Sequence, residues 1–178
     1  MDTRRRESEV RPGSPRCATR WGFGTVDAQP KHAGSLERIE VVVQVHFLAF
    51  KGGLDAEARC EYDGLPDGQW SVILGGPFPE VEARAGDAFD ALSRARTVVE
   101  ANGWTLGLNG ARVDAWPSGM ARDQGGGRRV YVIDADRIKN RLPLELIDTF
   151  GPADRSLVGT VAEQIAHIRA IRPELIAQ

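Results

Sequence analysis

Ile39-Glu-Val-Val-Val-Gln-Val-His-Phe-Leu-Ala-Phe50 is the most strongly β-forming stretch of the chain. From Val41 it alternates, with Val41, Val43, Val45 and Phe47 on one face and Val42, Gln44, His46 and Leu48 on the other. A period of two is that of a strand. Both faces are mainly apolar, which predicts a central strand. Two further runs follow at once. Ala56–Tyr62 alternates Ala58, Cys60 and Tyr62 against Glu57, Arg59 and Glu61. Gln69–Leu74 places Trp70, Val72 and Leu74 on one face. Lys51-Gly-Gly53 and Asp63-Gly-Leu-Pro-Asp-Gly68 separate them, and both have turn composition. Three strands joined by short turns predict an antiparallel meander.

Beyond the meander the period changes. Ala88, Leu92, Ala95 and Val99, joined by Phe89, recur at helical spacing after Asp87, a good N-cap, and before the stop signal Asn102-Gly103. Arg94 and Arg96 are expected on the solvated face of that helix. Trp104–Leu108 and Ala111–Trp116 read as strands of a hairpin turned at Asn109-Gly110. Arg128–Asp134 and Leu144–Phe150 read as two more. Thr160 and Glu163 make a capping box that opens a helix with Leu157, Val161, Ile165, Ile168 and Ile171 facing inward. The predicted fold class is α+β: a mainly antiparallel (mixed) sheet with two helices packed on one face. The strand–helix–strand order around Asp87–Asn102 allows one parallel pair. Residues 1–34 are rich in Arg, Ser, Gly and Pro without apolar periodicity, and are expected to be a disordered tail. Residues 35–178 are expected to form a single α+β domain.

The chain has 178 residues, 42 % of them hydrophobic and 27 % charged, as in ordinary globular proteins. No apolar run approaches the ~20 residues of a membrane span, and no secretory signal opens the sequence, so no membrane partner and a cytoplasmic location are expected. Cys17 and Cys60 have no short-spaced partner, and His32, His46 and His167 are far apart in sequence. A metal site is therefore not expected, and no cofactor is assigned. His46, beside Gln44, reads as a hydrogen-bonded histidine of the strand rather than a catalytic one.

Charge is unevenly spread although the net value is only -2. Residues 55–90 hold nine acids against Arg59 and Arg84, and residues 110–141 hold seven bases against four acids. Such segregation suits a charged docking surface. The arginines Arg4-Arg5-Arg6 lie among Asp2, Glu7 and Glu9, too mixed a patch to predict nucleic acid as a partner.

The stretch 103–127 is the least scaffold-like. It collects Asn109, Arg112, Asp114, Ser118, Arg122 and Asp123 among glycines and a proline. If the chain has a binding site, Arg112, Asp114, Ser118, Arg122 and Asp123 are its expected residues. Strand alternation puts Arg112 and Asp114 on one side, and the 117–127 loop, with Gly125-Gly-Gly127, is expected to close over a bound group. A small anion is one candidate, clamped by Arg122 and backbone amides. The glycine spacing matches neither common nucleotide-binding pattern, and a strand rather than a helix follows. Ser118 lacks a nucleophile elbow, and a carboxylate held by arginine makes a poor general base. No catalytic residue is assigned. On this reading Arg112→Ala and Arg122→Ala abolish binding at little cost in stability, under about 1 kcal/mol.

The run of Trp104, Asn109-Gly110, Asp114, Pro117-Ser-Gly-Met120 and Arg122-Asp123 resembles small proteins of high-GC bacteria. That resemblance implies no activity and carries over no functional residue. The sequence thus leads to a non-catalytic protein-interaction module (an inhibitor, immunity or accessory protein) with another protein as partner. The alternative is a small-molecule or phosphate-binding protein, or a small hydrolase or transferase, using the 117–127 loop.

Overall fold

A computed structural model of the chain describes residues 42–176. The expected tail and the opening Ile39–Val41 of the first predicted strand lie outside the described residues. The fold is α+β, as the alternating and helical patterns predict, and every strand pairing is antiparallel. No helix among the described residues is long and apolar enough to cross a membrane.

The meander consists of β1 (Val43–Lys51), β2 (Leu54–Gly64) and β3 (Trp70–Gly75). A further strand, β4 (Val81–Ala85), extends it on one side, and β5 (Thr105–Leu106) borders β1 on the other, giving the order β4-β3-β2-β1-β5. Gly52 and Gly53 make the two-residue β1–β2 turn, with Gly52 at φ 57°. Left-handed backbone at that position matches the twist of the strands it joins. The turn sets Val45 opposite Cys60 and Phe47 opposite Ala58, so the apolar rows of the two strands share one face. That face is the inner one. The other face is open to water at Leu48, which is 41 % exposed, but Phe50 at its end is buried under Arg155. β1 lies between β2 and β5, as expected of a central strand, although β5 pairs only with Ala49 and Phe50.

One helix, α1 (Ala88–Ala101), closes the inner face. Asp87 caps its start by accepting from the Asp90 N–H at 2.8 Å, and Gly103 at φ 79° ends it. Ala91, Leu92, Ala95 and Val99 are fully buried against Val72, Leu74 and Leu106. Phe89 leaves the helix in another direction and joins a second core. That core lies under a three-stranded sheet of β6 (Ala115–Trp116), β7 (Arg129–Val132) and β8 (Leu146–Asp148). Two short helices, α2 (Gly119–Asp123) and α3 (Ala135–Lys139), link these strands. The last helix, α4 (Val161–Ile171), brings Ile165 and Ile168 to Val130, Ile133 and Trp116. The capping box predicted at Thr160 and Glu163 is present. The second long helix thus covers the small sheet and the flank of α1, and α1 covers the large sheet.

Two local expectations are corrected. Asn109-Gly110 does not turn a hairpin: Asn109–Ala111 is a single 3₁₀ turn, and only Ala115–Trp116 of the predicted second strand is extended into a sheet. Gly110 serves close approach. A Cβ there would lie 2.7 Å from Leu92 Cδ2 and 2.8 Å from Thr149 Cγ2. The strand after α1 also makes no parallel pair, since β5 runs antiparallel to β1.

Arg96 is not on a solvated face. It is completely buried at the junction of α1, α4 and the 109–115 segment. Its Nε donates to Glu100 Oε1 at 3.0 Å, Nη1 to the Gly110 carbonyl and to Gln164 Oε1 at 2.8 Å each, and Nη2 to the Gly159 carbonyl at 2.9 Å. Gln164 Nε2 in turn donates to the carbonyls of Gly110, Arg112 and Ala115. The second oxygen of Glu100 accepts the Val161 N–H at the start of α4. Burial alone would disfavour the guanidinium charge, and the neighbouring Glu100 carboxylate opposes that effect.

Candidate functional site

The structure gives four of the five residues singled out in the sequence partners inside the chain. Arg112 and Asp114 bind each other, although neither lies in the strand whose alternation was expected to pair them. Nε donates to Oδ1 and Nη2 to Oδ2, both at 2.8 Å. This bidentate pair is mostly covered, its side chains 17 % and 24 % exposed. The hydrogen bonds that Arg112 donates to Asp114 hold its pKa above the ordinary value.

Arg122 reaches away from Asp123. Its Nη1 donates to Asp87 Oδ2 at 2.9 Å, and its guanidinium lies 5.3 Å from the Phe89 ring centre and 5.6 Å from that of Trp116. Phe89 and Trp116 meet edge to face at 5.1 Å. A cation over two rings and paired with a carboxylate is a fixed structural unit. Ser118 caps α2, its Oγ accepting from the Ala121 N–H at 3.2 Å. Asp123, at the end of that helix, is exposed.

The glycines of the predicted flap are fixed as well. Gly126 and Gly127 have φ 59° and 69°. The Gly126 carbonyl accepts the Ala88 N–H at 2.9 Å and the Gly127 carbonyl accepts the Thr149 hydroxyl at 2.8 Å. A Cβ on Gly127 would come within 2.4 Å of Asp87 Oδ1. The loop therefore lies against the N-terminus of α1, and glycine is needed there for contact. The amides of Gln124, Gly127 and Arg128 donate to the carbonyls of Met120, Ala121 and Gly125. They are turned inward, away from any outside anion.

Beside this unit is a cleft of about 170 Å³ between the small sheet and the C-terminal turn. Trp116, Ser118, Tyr131, Leu144, Arg172 and Leu175 line it. The Trp116 indole N–H donates to the Leu175 carbonyl at 3.1 Å, which fixes the far wall. Ser118 is the one residue among the five sequence candidates that borders this cleft. Its hydroxyl proton is free to donate while its oxygen caps α2. The space suits one small apolar group with a polar edge.

A second candidate is the outer face of the five-stranded sheet. Strand alternation presents Asp55, Glu57, Glu61 and Asp63 from β2 and Glu82 from β4 on that side, and Glu80 joins them through Arg59. Arg59, Arg84 and Arg155 are interspersed: Arg59 pairs with Glu80 at 2.7 Å, Arg84 with Glu82 at 2.8 Å, and Arg155 with Asp55. Six carboxylates against three guanidiniums leave the face net negative. Arg84 holds the Glu82 carboxyl below its ordinary pKa. Gly75 allows the Arg59 guanidinium to lie flat on the sheet, since a Cβ there would be 2.7 Å from it. His46 stands opposite Arg59 on the same face.

Sequence reasoning missed Arg96, Glu100 and Gln164. Arg96 and Glu100 at a spacing of four look like a surface ion pair, and nothing local distinguishes the buried version. The acidic sheet face was legible in the strand alternation together with the excess of acids over residues 55–90. No protein-family model matches the chain, and no curated protein matches it.

Proposed function

We propose that this protein is a non-catalytic interaction module that docks another protein on the outer face of its five-stranded sheet. The observation that carries the reading is the net-negative outer sheet face, which α1 leaves open because it packs on the opposite side. Its six carboxylates suit a basic partner surface, and such an interface forms quickly and weakens with salt. The residues of the 112–127 stretch support it indirectly. Arg112 and Asp114 bind each other and Arg122 binds Asp87, so these charges are engaged inside the chain. The test compares proteins cross-linked in cells to the wild type and to a Glu57→Lys/Glu61→Lys variant of equal thermal stability. A partner lost from the variant, and released from the wild type by raised salt, fits the proposal. The same partners on both proteins would overturn it.

The cleft beside Ser118 favours a second reading, a small-molecule site with Trp116 and Tyr131 against an apolar body and Arg172 and Ser118 toward an anionic edge. Arg122 and the Arg112–Asp114 pair would then act as its supports. A thermal-shift screen of small aromatic carboxylates checks it. Stabilisation abolished by Arg172→Ala would favour the cleft over the sheet face.

A further inference from the structure

We infer that β1 also carries an open sheet edge through which two copies of this chain join their five-stranded sheets. The argument begins with which way its backbone points. The Leu48 carbonyl accepts the Gly107 N–H at 2.7 Å, on the β5 side. Backbone groups of alternate residues in a strand point to the same side, so those of Gln44 and His46 point that way too. β5 pairs only with Ala49 and Phe50. Past Gly107 the chain leaves the plane of the sheet, and Gly110 lies beneath it against Leu92. Among the described residues no strand meets the N–H and C=O groups of Gln44 and His46.

The other edges are treated differently. On β4, Arg94 Nη1 donates to the Arg84 carbonyl at 3.2 Å, and Glu82 and Arg84 charge the strand. On β8, Arg129 Nη2 donates to the Leu146 carbonyl at 3.1 Å. Charged side chains on an edge and donors on its free carbonyls are what keep edges from pairing. The stretch Val42–Phe50 contains no Asp, Glu, Lys, Arg or Pro. Among the described residues, this edge carries neither a charged side chain nor a donor on its free carbonyls.

The occupant must be extended, neutral, and apolar on the side that continues Val43 and Val45. A second β1 meets all three conditions. Antiparallel pairing about Gln44 sets Val43 opposite Val45 of the other copy and Val42 opposite His46, and it stays clear of Leu48, whose carbonyl is already bonded. Two-fold symmetry repeats each hydrogen bond. It also covers part of Val42, which is 44 % exposed in the single chain. The axis stands perpendicular to the sheets, so the acidic faces of both copies end on the same side.

The test is the mass of the full chain in solution by light scattering, from ~1 to ~100 μM, the range in which edge-mediated dimers of modest area assemble. A concentration-dependent doubling of mass is expected. Gln44→Lys places two ammonium groups across the axis and should weaken the dimer about tenfold or more. Val42→Lys, at the end of the pairing, should do the same, and Met120→Lys, exposed elsewhere, should not. A wild type that stays monomeric throughout overturns the inference, as does a folded Gln44→Lys or Val42→Lys protein that dimerises like the wild type.

Discussion

The Arg96 guanidinium ties α1 to α4 and to the segments at Gly110 and Gly159. It is fully buried, and its four hydrogen bonds end on Glu100, Gln164 and two carbonyls. Removing it leaves the Glu100 carboxylate and the Gly110 and Gly159 carbonyls without that partner. Arg96→Met is expected to cost roughly 3–5 kcal/mol in urea unfolding. A loss under about 1 kcal/mol would show that the network contributes little beyond its own desolvation. The same logic revises the arginines of the 112–127 stretch. Arg122→Ala frees Asp87, the cap of α1, and uncovers Phe89 and Trp116, so a loss of about 1–3 kcal/mol is expected rather than a silent change. Glycines give a sharper contrast. Gly127→Ala combines φ 69° with a Cβ 2.4 Å from Asp87 Oδ1, whereas Gly53 has nothing within 4 Å of the added atom. Gly127→Ala should lower the melting temperature clearly and Gly53→Ala scarcely at all. Little of this was legible in the sequence. An arginine in a helix is outside by default, and only the contacts of distant segments put Arg96 inside.

At the level of elements the sequence was a better guide wherever the signal is local. The two-residue glycine turn, the alternation of β1 to β3, the Asp87 cap and the Thr160/Glu163 capping box each follow from neighbours a few residues apart. β4 carries the same alternation in Val81, Ala83 and Ala85, but its apolar residues are small and the run is short. The predicted hairpin of 104–116 failed because the conformation at its expected turn is set by Leu92 and Thr149, which pack on Gly110. The capping box also makes a prediction in pH. The Glu163 carboxylate accepts the Thr160 N–H at 2.8 Å and hydroxyl at 2.9 Å, which holds its pKa below the ordinary carboxylate value. A carboxylate with a lowered folded pKa contributes stability above its unfolded pKa and loses it as pH falls through the folded one. Glu163→Gln keeps a capping side chain without the charge. Its melting temperature should fall below that of the wild type near pH 7, and the gap should close from roughly pH 5 to pH 3. A gap independent of pH would mean that the bond to Thr160 does not depend on ionisation.

At the scale of the whole molecule, α1 lies between the two hydrophobic clusters. Leu92, Ala95 and Val99 belong to the first and Phe89 to the second, while Arg96 and Glu100 reach α4. One transition by calorimetry is expected, with β1 and β7 losing structure at the same temperature. Cys60 supplies a probe. Burial pushes its thiol pKa up, so it should react with a thiol reagent only when the chain opens. In a Cys17→Ser variant, the modification rate in urea should track the global transition. Early labelling would show that the meander opens without the small sheet.

A shared wall also limits where the chain can be cut or rearranged. A break between Leu106 and Asn109 separates Arg96 from Gly110, Gly159 and Gln164 and leaves it Glu100 alone. The piece ending there would carry a half-satisfied guanidinium and the Phe89 ring on the open side of α1. Such halves are expected to need each other in the test tube. Mixed together they should regain structure, and apart each should aggregate or remain unfolded. Insertions are better placed at the far turn Asp63–Gly68, whose backbone is exposed for most of its length and touches neither cluster through its loop residues Pro66–Gly68.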